Sequence, residues 1–294
     1  MKSLTVSVWP GCNNACVMCT NAPAMRRMSR WPFSLYKLME NLEDKKAASV
    51  VITGGEPTLN NYLLRFIKWL RDSRGARHIT LLTNGRKFSS AAYARRFLSV
   101  APKAHLAVSL PAGVPALHDA VTRVKGSFME TSRGLRNIAA LKSPEQALEA
   151  RIVLTARNAA KAGATVKWLL ANIPGLDFVT LVYPEYEGAM QASPELAITY
   201  GQCLPALEAA ALAAKDFDGL RFYHFPHCVL PRALRRFALR SLSSEELHRG
   251  AACAKCAASK DCGGVPLAAL PGNPDFKFRA IACADGAGRR DGTR

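Results

Sequence analysis

Acidic side chains are the scarce class in this 294-residue chain: 22 Asp and Glu stand against 40 Lys and Arg, a formal net charge of +18. Such a field attracts anions, whether nucleotides, RNA or an acidic peptide, and a basic surface that only aids solubility is the plainer alternative. The deficit is uneven. Residues 76–110 hold Arg77, Arg86, Lys87, Arg95, Arg96 and Lys103 with no acid, and "RRMSR" follows the first cysteine group. Long apolar runs are also missing: nothing approaches 18 consecutive apolar residues, so no membrane-spanning helix is expected. The N-terminal "MKSLTVSVWPGC" has one lysine and too short an apolar run for a signal peptide, which makes the cytoplasm the default location. Repeats and low-complexity linkers are absent, and 20 Gly and 17 Pro are ordinary proportions that do not indicate disorder. With 49% hydrophobic residues the chain can bury a substantial core, as one large domain or two.

What is present in excess is cysteine. Nine cysteines in a chain expected to be cytoplasmic favour metal or redox chemistry over disulfides. Cys12, Cys16 and Cys19 form one group, Cys228, Cys253, Cys256 and Cys262 can form a second, and Cys203 and Cys283 are left over. The first group, in "WPGCNNACVMCTN", has three soft ligands and neither a histidine nor a fourth cysteine nearby. A structural zinc site wants four ligands. Three thiolates suit a centre that keeps one position open.

Strand-like runs recur at 4–9, 48–53, 78–83, 104–110, 149–155 and 178–184, separated by helical patterns. In "NYLLRFIKWLRDS", Leu63, Phe66, Ile67 and Leu70 fall at i, i+3, i+4 and i+7, one face of a helix. "SSAAYARRFLSV" opens with a serine cap, and "TVKWLLANI" stops before Pro174 and Gly175. Six strand-then-helix units predict an α/β fold with a parallel sheet, short of the eight that close a barrel. An open, partial (β/α)6 barrel is expected over 1–217, with a doubly wound sheet as the alternative. A Cys-rich extension follows over 218–294. In either arrangement the chemistry sits on loops at the carboxyl ends of the strands.

The C-x3-C-x2-C spacing resembles the radical S-adenosylmethionine (radical SAM) superfamily. There three thiolates hold a [4Fe–4S] cluster and the amine and carboxylate of SAM fill the vacant iron position. Other stretches strengthen the resemblance over roughly residues 4–185. "TGGEPTL" ends strand two, where Gly54 and Gly55 permit close backbone approach and Glu56 can accept from a methionine ammonium. "LLTNG" ends strand three and "AVSL" strand four. The resemblance implies Asn84 and Ser109 as ribose or methionine-carboxylate contacts, though each alone is an ordinary turn or strand-end residue. "LHDAVTRVKGSF" is also similar to the family, implying Arg123 on the methionine carboxylate, with Arg151 a weaker candidate that could instead be a core ion-pair partner. Met18 stands where the family residue is usually aromatic, and a thioether can fill the space near adenine.

The resemblance implies electron transfer from the reduced cluster into the sulfonium, from a reductant such as flavodoxin or ferredoxin. The products are methionine and a 5′-deoxyadenosyl radical that abstracts hydrogen from substrate. The tail's "CAKCAASKDCGG" with Cys228 upstream resembles SPASM or twitch extensions, implying an auxiliary [4Fe–4S] cluster on Cys228, Cys253, Cys256 and Cys262. A zinc knot is the alternative. "CVLPR" and "RVKGSF" look closest to maturases of the His-Xaa-Ser repeat peptide system, although no dedicated leader-binding module is expected before strand one. Cys203 is expected in the core and Cys283 as a spare or replacement ligand. In "VYPEYEG", Tyr183, Glu185 and Glu187 are substrate-facing candidates by position alone. The leading expectation is a radical SAM enzyme acting on a ribosomally made peptide. A nucleotide, nucleotide-sugar or RNA substrate is the alternative, and a non-catalytic iron–sulfur or zinc protein binding nucleic acid is a third possibility.

Overall fold

The computed structural model describes residues 3–28, 35–40, 42 and 48–282. Along the chain run β1 (Ser3–Ser7), short helices α1 (Pro23–Arg26) and α2 (Leu35–Glu40), β2 (Ser49–Thr53), α3 (Leu63–Arg74) and β3 (His78–Thr83). Next come α4 (Ala91–Val100), β4 (Ala104–Ser109), α5 (Pro115–Thr122), α6 (Ser127–Leu141), β5 (Ala147–Val153) and α7 (Ala162–Asn172). The series continues with β6 (Phe178–Val182), α8 (Tyr200–Ala213), β7 (Leu220–Tyr223) and β8 (Ala238–Leu239). It ends with β9 (Leu247–His248) and β10 (Val265–Pro266), which pair antiparallel apart from the main sheet. Short 3-10 turns join several of these.

Strands β1 to β8 form one parallel sheet in sequential order. Parallel neighbours need crossover connections, and helices α3 to α8 supply most of them. The six expected strands are all present. Two short ones, β7 and β8, extend the sheet past residue 217 into the segment expected to be the extension. No pairing joins β8 to β1, so the sheet stays open among the described residues.

Local sequence explains the elements. The stripe on α3 buries Leu63, Phe66, Ile67 and Leu70 as its spacing requires. The helix then ends at Gly75, whose φ of 65° closes the turn with its N–H on the Leu70 carbonyl. The hydroxyl of Ser90 accepts from the Tyr93 amide and caps α4. Thr199 and Gln202 form a reciprocal capping box that starts α8. One connected core runs from Val6 on β1 to Ala269 beyond β10 and includes the buried Cys203. The barrel is therefore packed, with a buried polar group around Glu149 on β5 among its apolar side chains. No helix among the described residues is long and apolar enough to cross a membrane.

Candidate functional site

The loop after β1 carries Cys12, Cys16 and Cys19, all half-buried and outside any disulfide. Three neighbouring segments hold its backbone. The amide of Gly55 donates to the Trp9 carbonyl at 2.6 Å and that of Glu56 to the Gly11 carbonyl at 2.8 Å. The amides of Ala15 and Val17 donate to the carbonyls of Thr122 and Val121 at the end of α5, each at 2.9 Å. After β6, the Ala189 amide donates to the Cys19 carbonyl at 2.8 Å. The glycines of "TGGEP" are explained by this packing: a Cβ on Gly54 would lie 2.2 Å from the Trp9 carbonyl oxygen, and one on Gly55 2.3 Å from those of Pro10 and Gly11. Gly54 also has a φ of 150°. The close backbone approach read from these glycines is to the cysteine loop itself.

Glu56 is fully enclosed, and its carboxylate fastens strand ends together. Oε1 accepts from the Thr58 amide at 3.1 Å, the Thr58 hydroxyl at 2.6 Å and the Thr83 hydroxyl at 2.6 Å, while Oε2 accepts from the Asn84 amide at 2.6 Å. Burial raises its pKa and these donors oppose the rise. A carboxylate has about four acceptor positions, so the room left for an ammonium is on Oε2. Burial likewise pushes the Cys12 thiol up to about 11 against a hydrogen bond from the Asn14 amide, with Glu56 and Cys19 adding negative charge. A bound metal supplies the positive charge that such a thiolate needs.

Asn84 is buried at the end of β3 and turns toward the cysteine loop. Its Nδ2 donates to Asn13 Oδ1 at 2.7 Å and reaches Cys12 Sγ at 3.9 Å. Arg86 was legible in sequence only as one of a basic run. Its guanidinium donates from Nη1 to the Asn13 carbonyl and to Asn14 Oδ1, and from Nε to Glu130. The signal available was its place two residues after Asn84.

Ser109 and Arg151 are register partners at the ends of β4 and β5. Arg151 spends its guanidinium on Glu149, with Nε–Oε1 at 2.7 Å and Nη2–Oε2 at 3.2 Å. This is the core ion-pair alternative weighed for it. His105 Nε2 lies 2.7 Å from the same carboxylate. Burial would raise the Glu149 pKa, but His105 and Arg151 bring it down to about 2. Arg123 is exposed in the left-handed region at φ 55°, one residue past the Thr122 carbonyl that holds Ala15. The "HD" before it is structural: Asp119 accepts from the amides of Gly126 and Phe128 and the Ser127 hydroxyl, fixing the start of α6. His118 is buried against Ser127, and burial pushes its pKa down to about 4. Met18 packs partly buried against the core.

Among the β6-end candidates, Tyr183 is wholly buried. Its hydroxyl donates to the Ile198 carbonyl at 2.6 Å, accepts from Asn273 Nδ2, and its ring stacks on Tyr200. Burial first, then Tyr186, raises its pKa. These contacts make it a core residue, away from any open surface. Glu185 is half-buried, 4.0 Å from His224 Nδ1, with its pKa raised by burial and by Glu187 and Glu246. Glu187 is exposed.

In the tail, Cys228, Cys253, Cys256 and Cys262 line one small cavity together with His227, Arg249 and Arg279. Backbone amides point at its sulfurs: His227 and Gly264 donate to Cys262 Sγ at 3.3 and 3.4 Å, and Ile281 to Cys256 Sγ at 3.3 Å. Cys283, Ser29, Arg30 and the side chain of Arg26 lie outside the described residues. Among the described residues, no three His, Cys, Asp or Glu side chains stand close enough to bind a single metal ion.

Comparison with known proteins agrees with this architecture. SuiB of Streptococcus suis, bound to precursor peptide SuiA, superposes with a TM-score of 0.57 at 13% identity, covering 75% of this chain and 48% of SuiB. The enzyme anSMEcpe with bound AdoMet and Cp18Cys peptide gives 0.56 at 17% identity, covering 74% of this chain and 63% of its own. A radical SAM methyltransferase from Sphaerobacter thermophilus gives 0.52 at 17%, covering 75% and 66%. At such identities the likeness is one of fold, and this chain spans about half the length of SuiB. No curated protein sequence matches. Residues 6–175, more than half the chain and the whole stretch from the cysteine loop to the end of α7, match the Radical SAM superfamily, and the chain belongs to that superfamily.

Proposed function

We propose that the chain is a radical SAM enzyme that modifies a ribosomally made peptide, with Cys12, Cys16 and Cys19 holding the catalytic cluster. Family membership implies a [4Fe–4S] cluster and SAM, which when bound supply one-electron cleavage of the sulfonium and a 5′-deoxyadenosyl radical for hydrogen abstraction. The donor set fits: one loop offers three half-buried thiols, with neither a histidine nor a fourth cysteine beside them in sequence. The observation that carries the assignment is the convergence of the ends of β2 and α5 and the loop after β6 on the backbone of that loop. Around it, Oε2 of Glu56, Asn84, Ser109 and Arg123 are the residues proposed to hold SAM, and Gly54 and Gly55 to set the loop's depth. Met18 is proposed against adenine. Arg151 acts through Glu149. Glu185 and Glu187 remain proposed substrate contacts, while Tyr183 shapes the site from beneath.

Residues 218–294 are proposed as an extension with an auxiliary [4Fe–4S] cluster on Cys228, Cys253, Cys256 and Cys262. Support comes from their shared cavity and from the amides directed at Cys256 and Cys262, since hydrogen bonds to sulfur stabilise cluster thiolates. A zinc ion would draw its four sulfurs to within about 4 Å of one another. A cluster spreads them over four irons. The peptide substrate draws support from two structural neighbours that were solved with peptides bound. The tail's likeness to His-Xaa-Ser maturases points the same way.

Anaerobic reconstitution should give about eight irons per chain. Replacing Cys12, Cys16 and Cys19 with Ala should leave about four and abolish 5′-deoxyadenosine formation. Replacing Cys253, Cys256 and Cys262 should also leave about four but retain some SAM cleavage. Stoichiometric zinc without iron in the tail would overturn the auxiliary-cluster assignment.

A further inference from the structure

Among the described residues, Arg86 is the cation whose side chain grips the segment between the first two cysteines. Its Nη1 donates to the Asn13 carbonyl and, at 2.9 Å, to Asn14 Oδ1, so two consecutive loop residues share one guanidinium. Its Nε donates to Glu130 Oε2 on α6 at 2.5 Å, and the Arg86 side chain is only 14% exposed. Asn84 holds the Arg86 amide through Oδ1 at 3.0 Å while its Nδ2 binds Asn13 Oδ1, which closes a ring of hydrogen bonds between the β3 end and the cysteine loop. A planar fork of this kind fixes geometry that a lysine cannot.

We propose that Arg86 is a positioning residue for the catalytic cluster, acting in two separable ways. Its fork holds the 12–16 loop at the depth where Cys12 and Cys16 reach iron. Its charge, in a site largely shielded from water, favours the more negative reduced state and so raises the midpoint potential. Glu130, half-exposed on α6, partly neutralises that charge. The inference rests on the assignment of Cys12, Cys16 and Cys19.

The two actions predict different responses. In reconstituted full-length protein, the midpoint of the SAM-responsive cluster is followed by EPR in a dye-mediated titration, and iron release to a chelator is timed separately. Arg86→Gln should shift the midpoint negative and speed iron release about tenfold, as expected for lost charge-assisted bonds. Arg86→Lys should keep the midpoint near that of wild type yet release iron nearly as fast. Glu130→Gln leaves a half-exposed position filled and should shift the midpoint in the positive direction, so a test remains if Arg86→Gln does not fold. Midpoint shifts of the same sign in the Arg86→Gln and Glu130→Gln proteins, or no shift in either of these when folded, overturn the proposal. A wild-type protein that assembles no SAM-responsive cluster overturns the cysteine assignment instead, and this inference falls with it.

Discussion

Arg123 is a carboxylate-binding candidate and Arg151 a weaker one with a core ion pair as its alternative, and their surroundings separate them. Arg123 is exposed and sits one residue from the carbonyl that holds the cysteine loop. Arg123→Ala should therefore weaken SAM binding roughly ten- to hundredfold, the worth of one charge-assisted contact, with little change in stability. Equilibrium dialysis with SAM checks this, and unchanged affinity would remove Arg123 from the site. Arg151 instead keeps Glu149 ionised in the core. Because the folded pKa of Glu149 is about 2 against 4.5 ordinarily, folding is favoured wherever the carboxylate is ionised. That stabilisation, on the order of 3 kcal/mol, is present above about pH 4.5 and lost as pH falls toward 2. Urea unfolding of wild type between pH 5 and 2.5 should show the loss. A Glu149→Gln protein should lack this component, and parallel curves for the two would exclude it. The sequence places an acid and an arginine two residues apart on strand five, but neither the burial of Glu149 nor its pairing with Arg151 is visible there. Side-chain direction came from packing.

At the level of elements, the strand ends behave as a clamp built from backbone. Gly55→Ala places a methyl group 2.3 Å from two carbonyl oxygens, a conflict that rotamer changes in neighbouring side chains cannot relieve. The cysteine loop must move away, at a cost of about 1–3 kcal/mol. The expected result is a folded protein with normal circular dichroism but incomplete iron in the first cluster. Full iron at the first cluster would show the loop to be more yielding than its packing suggests. The spacing of glycine and proline marked this turn in the sequence. What it pressed against was invisible, because Trp9 and Gly11 are more than forty residues away and meet it only when β1 and β2 pair.

Of the six basic residues between 76 and 110, four lie away from the strand carboxyl ends and the two just past β3 are already engaged. Arg77 and Lys103 lie at the amino ends of β3 and β4, Arg95 and Arg96 on the exposed face of α4, while Arg86 and Lys87 are engaged with Asn14 and the Thr58 carbonyl. RNA binding should accordingly be weak and should not stimulate SAM cleavage, whereas a peptide substrate should. If RNA were the substrate, six or more phosphate contacts would cost about a thousandfold in affinity between 50 and 200 mM salt. Turnover on RNA with that steep dependence would move the assignment to RNA modification. A shallow slope without turnover leaves the peptide assignment in place.

Strand and helix order, the open parallel sheet and the two cysteine groups were determined by sequence, because period-two and period-3.6 apolar patterns and ligand spacing are local properties. The short strands β7 and β8 escaped, being too brief to carry a pattern and held in place mainly by their neighbours. Tertiary structure alone decided the rest. Glu56 bridges Thr58, Thr83 and Asn84 because parallel pairing brings the ends of β2 and β3 to one level. Tyr183 belongs to the core because α8 and the tail close over it. Arg86 reaches Asn13 because β3 ends beside a loop that is seventy residues distant in sequence.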